Sequence, residues 1–262
     1  MTDYQVLFLD IDGTILKPDH TYEASTRDAI LQAKDIGIEV FLATGRPLHE
    51  ISDLAEELNI HSFIGYNGAL AIYKEQTIVN EPMQAEVIMQ FVEIAKKHGH
   101  EIVLYSNEKN YFTNLDVPCA QNFIHMFQME KNDVYSDQVA DQILGLTLIK
   151  LKEEDIALYE LHASYHFSQV NVDGLRNCYD VIRDTVNKGR AIEKLLERMN
   201  ISSDKAIAFG DGMNDKEMLA TVGEGFVMGN ANSNLFEYGN RKTTAVTESG
   251  IFNGLKTIGV VK

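Results

Sequence analysis

Two carboxylates stand two residues apart at the end of an apolar run, in Val6-Leu7-Phe8-Leu9-Asp10-Ile11-Asp12-Gly13-Thr14. On an extended strand, residues i and i+2 point the same way, so Asp10 and Asp12 would project together. Adjacent like charges repel, and a hard cation such as Mg2+, which prefers carboxylate oxygens, would offset them. On its own the stretch reads equally well as an Asp-Gly turn leaving a strand. Three further polar clusters punctuate the chain: Thr44-Gly45-Arg46, Asn187-Lys188-Gly189 and Gly210-Asp211-Gly212-Met213-Asn214-Asp215. Each has a plain alternative: Thr44 as a cap ahead of Pro47, Lys188 as a solvated surface lysine, and the Gly/Asp run as a tight turn. All three ordinary explanations holding at once is less economical than one shared site.

The elements that would bring these clusters together are written in the apolar pattern. Val6–Leu9, Ile38–Ala43, Phe63-Ile64, Lys205–Phe209 and Gly225–Met228 are short apolar runs that read as buried strands. Helical spacing over 25–36, 48–58, 188–199 and 216–220 separates them. Thr243–Val246 and a last helix near 251–258 complete the series. Strand-helix alternation indicates a parallel sheet with right-handed crossovers, and in such sheets ligands bind at the C-terminal strand ends.

Between about 82 and 184 the character changes. A helix at Ala85–His98 is followed by candidate strands at Glu101–Ser106, Tyr111–Thr113 and Leu144–Leu151, and a helix at Glu153–Ser164. Phe167–Val172 and Arg176–Ile182 then flank the turn Asp173-Gly174, the mark of an antiparallel pair. The expected fold is α/β, a Rossmann-like parallel-sheet core interrupted by an inserted α+β cap domain. The expected domains are 1–81 and 185–262 for the core and 82–184 for the insert. Asn80-Glu81-Pro82 and Asp184-Thr185-Val186 are the crossings.

The formal charge of −16 over 262 residues argues against a nucleic-acid footprint and against adsorption to anionic membranes. It leaves room for an anionic substrate where a metal and a few basic residues make a local positive site. Cys119 and Cys178 are far apart and outside any close-set pattern, so no disulfide framework or zinc site is expected. The start of the chain lacks a leader pattern and no apolar run is long enough to span a membrane, which makes the cytoplasm the simplest location. No obligate protein partner is evident.

Asp10-Ile11-Asp12-Gly13-Thr14, Ala43-Thr44-Gly45-Arg46, Asn187-Lys188-Gly189 and Gly210–Asp215 resemble, in order, the four motifs of the haloacid dehalogenase superfamily. With Tyr66-Asn67-Gly68-Ala69 and Thr247-Glu248-Ser249-Gly250-Ile251, they resemble its Cof-like phosphatase branch, whose large α/β cap lies between the second and third motifs. The motifs cover only the core; the insert is similar to that cap in placement and size.

The resemblance implies a Mg2+-dependent phosphatase that hydrolyses a small phosphorylated metabolite, sugar phosphates first, through an aspartyl-phosphate. It implies Asp10 as nucleophile and Asp12 as the acid that protonates the leaving alcohol, then the base that activates water. The metal would be held by the Asp10 carboxylate, the Asp12 backbone carbonyl and Asp211, with Asp215 in support. Thr44, Gly45 and neighbouring backbone N–H groups, Lys188 and Asn214 would meet the phosphoryl oxygens. Arg46 and Asn67 are secondary candidates, and Arg46 is equally suited to pairing with an acidic neighbour. The insert would act as a lid, and His125, Tyr165, His166 and Arg183 are candidate contacts that also read as structural.

Three other functions compete. A phosphomutase of the same superfamily shares the first motif, but the related phosphomannomutases lack the Thr-Gly-Arg string. A signalling receiver is far shorter and has no use for an acid/base two residues on. A non-catalytic protein binding a phosphorylated ligand would not need the intact Asp10, Asp12, Lys188 and Asp211 set.

Overall fold

The computed structural model describes residues 3–170 and 172–262. Met1 and Thr2, read above for a leader, and Asn171, inside an expected strand, lie outside the described residues.

In chain order, β1 (Val6–Leu9) leads to α1 (Ala24–Asp35), β2 (Glu39–Ala43), α2 (Ser52–Glu57), β3 (Ser62–Gly65), β4 (Leu70–Tyr73) and β5 (Gln76–Asn80). Then follow α3 (Ala85–His98), β6 (Glu101–Tyr105), β7 (Asn110–Phe112), α4 (Pro118–Phe127), β8 (Asn132–Val134), β9 (Gly145–Ile149), β10 (Tyr165–Gln169) and β11 (Tyr179–Arg183). The chain ends with α5 (Lys188–Met199), β12 (Ala206–Gly210), α6 (Lys216–Thr221), β13 (Glu224–Val227), β14 (Arg241–Lys242) and α7 (Gly250–Thr257). Two compact units emerge: the chain through Arg46 with Ser52–Asn80 and Asn187–Lys262, and Pro47–Ile51 with Glu81–Val186.

The first unit carries an eight-stranded sheet in the order β14-β13-β12-β1-β2-β3-β4-β5. Strands β14 through β3 are parallel, and β3-β4-β5 turn back antiparallel. β1 sits at the centre, with Leu9 opposite Phe209 on one side and Leu42 on the other. Its alternating side chains are all fully buried, as a strand covered on both faces requires. Val6 and Phe8 pack with Phe41 and Ile64 against Ala191, Ile192 and Leu195 of α5 and Met218 of α6. Elsewhere Ala29, Ile30 and Ala33 of α1 and Ile251 and Leu255 of α7 are buried as those two helices pack together.

The second unit holds a six-stranded sheet, β10-β11-β9-β6-β7-β8. It is antiparallel except for the β7-β8 pair, which runs parallel. Val87, Ile88 and Phe91 of α3 share a core with Ile102, Leu104, Leu146 and Leu148. Phe123 of α4 shares another with Val103, Phe112, Ile149 and Cys178. Sequence-alternate strand residues thus fall into different cores, which gives the sheet two covered faces. Both cysteines are free thiols. Among the described residues no helix is long and apolar enough to cross a membrane.

Local details depart from the sequence pattern. The expected helix at 48–58 breaks into a 3-10 turn, Leu48–Glu50, and the short α2. His49 and Glu50 instead reach Asn110: His49 Nε2 lies 3.2 Å from Asn110 Oδ1, and Asn110 Nδ2 donates to Glu50 Oε1 at 2.8 Å. The expected helix at 153–164 is a 3-10 segment, Glu153–Leu158. The final strand is Arg241–Lys242, ahead of the expected Thr243–Val246.

Candidate active site

The end of β1 is fixed by its neighbour: the Asp10 N–H donates to the Phe209 carbonyl at 3.1 Å, carrying the parallel ladder one residue past Leu9. The chain then folds over itself, with the Ile15 and Leu16 N–H groups donating to the Ile11 carbonyl and that of Gly13 to Leu16. Gly13 has φ +86°, and a Cβ there would sit 2.2 Å from Asp211 Oδ2. Only glycine accommodates both the turn and the close approach of that carboxylate.

Lys188 opens α5, whose N-cap Asn187 accepts a hydrogen bond from the Arg190 N–H at 2.9 Å. Its side chain is fully buried, and Nζ donates to Asp10 Oδ1 and to Asp215 Oδ1, each at 2.6 Å. The other Asp215 oxygen accepts the N–H groups of Asp211 and Gly212, both at 3.0 Å. Asp215 therefore folds the Gly210–Asp215 loop around itself and aims Lys188 at Asp10. Asp211 receives the Thr14 hydroxyl on Oδ1 at 3.0 Å.

Asp10, Asp211 and Asp215 each offer an oxygen within 4.8 Å of the others, a grouping whose all-oxygen donors and negative charge suit a hard divalent cation. Three carboxylates face one ammonium, with Asp10, Asp215 and Lys188 buried and Asp211 partly so, and negative charge is in surplus. Burial and the neighbouring Asp215 charge push Asp10 well above the usual carboxylate range, against the pull of Lys188. Burial, with Asp215 close by, pushes Asp211 up to about 6. At Lys188 burial works against the ammonium, but the charges of Asp10 and Asp215 outweigh it and raise its pKa. A bound cation would relieve both strained acids, so the residues fit the metal.

The remaining predicted residues fall into two groups. Thr44 is buried at the end of β2, with Oγ1 accepting from the Arg46 N–H at 3.0 Å. Asn67 is laced to it, its N–H donating to the Thr44 carbonyl at 3.1 Å. Asn67 Oδ1 then takes a hydrogen bond from Asn214 Nδ2 at 3.0 Å, and its amide lies close over Gly45. Tyr66 and Asn67 both have φ +53°, a costly pair of left-handed residues that these bonds hold in place. Gly68 (φ +106°) packs against the Asn187 carbonyl, leaving no room for a Cβ.

The Asp12 carboxylate is not one of the three grouped acids, though its charge still acts on Asp211. Arg46 grips both Asp12 oxygens, Nε to Oδ2 at 2.7 Å and Nη2 to Oδ1 at 2.5 Å. Of the four candidates in the insert, three serve its own structure. Arg183 donates to the Leu144 and Pro82 carbonyls, His166 pairs with Asp184 at 2.9 Å, and Tyr165 meets Phe91 edge-on. His125 lies in the last turn of α4.

The sequence pattern underrated Asn67 and passed over Asn230, which follows the end of β13 and bonds to Gly13 and Asp211. The available signal for Asn230 was positional: a polar residue just past an apolar strand of the same sheet.

Comparison with known proteins bears on this geometry. The family model for haloacid dehalogenase-like hydrolases matches residues 7–255. YkrA of Bacillus subtilis (strain 168) is 32% identical, over 99% of this chain and 100% of that protein. The 5-amino-6-(5-phospho-D-ribitylamino)uracil phosphatase YitU of the same organism is 27% identical over 96% of each chain. A hypothetical protein from Geobacillus kaustophilus HTA426 superimposes with a TM-score of 0.90 at 27% identity, covering 98% of this chain and 100% of that one. The subclass IIB sugar phosphatase BT4131 shares the fold at a TM-score of 0.81 and 23% identity, covering 98% and 100%. The chain belongs to the haloacid dehalogenase-like hydrolases, among the Cof-type phosphatases whose parallel core is interrupted by a mixed-sheet insert.

Proposed function

We propose that this phosphatase hydrolyses small phosphorylated metabolites, with sugar and polyol phosphates as the first candidates, through an aspartyl-phosphate on Asp10. The observation that carries the reading is Asp10 at the end of the central strand, bonded to buried Lys188, with Asp211 and Asp215 beside it.

Asp10 supplies the nucleophilic oxygen. As its bond to phosphorus forms, the ester P–O bond breaks and the leaving oxygen takes a proton from Asp12. In the second half, Asp12 removes a proton from water, the water oxygen bonds to phosphorus, and Asp10 is released as carboxylate. Arg46 holds both Asp12 oxygens at rest, so proton delivery requires that grip to open. Lys188 pulls Asp10 toward its ionised form, opposing burial and the neighbouring Asp215 charge, and offers its own charge to the phosphoryl oxygens. The N–H groups near Thr44 and Gly45 and the amide of Asn214 line the phosphate position in this reading, with Asn67 fixing the last. Asp10, Asp211 and the Asp12 carbonyl would hold Mg2+, with Asp215 orienting the loop rather than leading the coordination. Such an ion neutralises charge on the phosphoryl group.

The substrate class draws on relatives. YitU is named for a phosphoribityl compound and BT4131 as a sugar phosphatase. The test is phosphate release from p-nitrophenyl phosphate and a panel of sugar phosphates with Mg2+ and with EDTA. Equal rates under both conditions would remove the metal from the mechanism, and a panel led by non-polyol esters would overturn the substrate class.

A further inference from the structure

Asn230 is exposed, yet it ties three loops together. Its Nδ2 donates to the Gly13 carbonyl at 2.8 Å and approaches Asp211 Oδ2 at 3.4 Å, while Oδ1 accepts the Val246 N–H at 2.8 Å. The loop that carries it is docked on both sides. The Met228 N–H donates to the Gly210 carbonyl, Asn232 N–H to Asp211, and Gly229 N–H to Thr244. A Cβ on Gly229 would meet Ala245 N at 2.6 Å, so the loop lies tight against that neighbour. Asp211 is thereby held from three directions: Thr14 Oγ1 on one oxygen, the Asn230 amide on the other, and the bare Cα of Gly13 against its face.

We propose that Asn230 is a positioning residue for the metal, fixing the Asp211 carboxylate and the Gly13 turn so that the oxygen ligands are preorganised for Mg2+. The inference rests on the reading of Asp211 as a metal ligand. Mg2+ tolerates little departure from its octahedral geometry, so a ligand free to rotate costs affinity. Groups that hold metal ligands in orientation change affinity by about 10- to 100-fold when removed. Asn230 bonds to Gly13, Asp211 and Val246, so its loss acts on Mg2+ binding before it acts on the chemical step.

The experiment is calorimetric titration of Mg2+ into the full chain, with far-UV circular dichroism to verify folding. Asn230→Ala should weaken the Mg2+ Kd by about 10- to 100-fold, with kcat at saturating Mg2+ within a few-fold of wild type. Thr14→Val, which removes the other side-chain donor to the same carboxylate, should weaken it as well. The double variant should lose less than the two effects combined, because both act on one group. Should Asn230→Ala fold poorly, Asn230→Ser, which retains a polar atom but lacks the reach of the amide, serves in its place. A folded Asn230 variant with an unchanged Kd overturns the proposal, as does strict additivity with Thr14→Val. Wild-type protein that binds no Mg2+ removes the metal reading itself and the proposal with it.

Discussion

Asp10 in the core and Asp180 in the insert are two acids with the same difficulty and different answers. Burial pushes both carboxyl groups above their ordinary range. Asp180 accepts the Thr147 hydroxyl at 2.5 Å, and Thr147 lies 2.8 Å from the Tyr105 hydroxyl. Burial, with Asp180 nearby, raises that phenol as well. The relay is built from neutral donors, so Asp180 can relieve its burial by taking a proton. Asp10 is raised against a direct ion pair: Lys188 sits on it, and burial with the carboxylates of Asp215 and Asp211 outweighs that pull until a cation joins the set. A buried acid with only neutral partners is a structural element; one set beside an ammonium and two further carboxylates is equipped for a cation and, once the cation balances the set, for nucleophilic attack.

That contrast breaks first at Asp10. Asp10→Asn should lower kcat by at least about 10^4-fold while leaving thermal stability of the metal-free protein near wild type, since the substitution is isosteric and removes repulsion with Asp215. Phosphate release and a thermal melt measure the two sides, and substantial residual turnover would unseat Asp10 as nucleophile. Lys188→Met reverses the balance. With the ammonium gone, Asp10 and Asp215 are left buried without a counter-charge, at a cost of about 3–5 kcal/mol in denaturant unfolding without metal. Asp12→Asn should cost about 10^2-fold or more on alkyl phosphates and much less on p-nitrophenyl phosphate, whose leaving group needs little protonation. Its exposed pair with Arg46 contributes about 1 kcal/mol or less to stability, so the loss would be kinetic.

Acidity offers a finer test. The carboxyl of Asp211 is raised to about 6 in the folded chain, above its unfolded value. Its contribution to stability is therefore greatest below the unfolded pKa near 4 and is lost as pH rises toward 6. Mg2+ affinity runs the opposite way, because the ligand must shed its proton. The Kd should weaken by up to about tenfold per pH unit below 6 for one coupled proton. Titrations at pH 5, 6 and 7 measure it, and a flat profile would exclude Asp211 as a ligand.

How far the sequence foretold this arrangement depends on the range of the signal. β1 and its Asp10-Ile11-Asp12-Gly13-Thr14 exit were legible because a run buried on both faces and a glycine-bearing turn are local properties. That the strands beside it run parallel followed from their alternation with helices. The β4-β5 hairpin did not. Its turn is Lys74-Glu75, both at positive φ, in place of the Asn-Gly or Asp-Gly that announces such a turn. The 48–58 segment looked like one helix because its apolar spacing does not register that Glu50 is drawn to Asn110, sixty residues away. Asn67 and Asn230 were obscure for a related reason. Their importance lies in amide contacts to distant loops, and an isolated asparagine after a strand is a common turn residue. Strand periodicity set Asp12 beside Asp10, but it could not show that Arg46, thirty-four residues on, would hold both oxygens of that carboxylate.

The smallest expected effect falls on Asp180 and is the most discriminating. Were buried acidity alone the mark of catalysis, Asp180→Asn would resemble Asp10→Asn. It should not: kcat for p-nitrophenyl phosphate stays within about threefold of wild type, against the loss of about 10^4-fold at Asp10. The amide can still accept the Thr147 hydroxyl through its carbonyl, so the relay to Tyr105 survives. The sign of the stability change also differs with pH. The raised pKa of Asp180 means its ionisation costs stability as pH climbs above the unfolded value near 4. An uncharged asparagine escapes that cost, so the variant should melt at or slightly above the wild-type temperature at pH 7 and lose that advantage at pH 4. Melting curves at the two pH values decide it. A variant clearly less stable than wild type at pH 7 would mean that Asp180 depends on a charged partner as Asp10 does on Lys188, and the distinction between the two acids would fail.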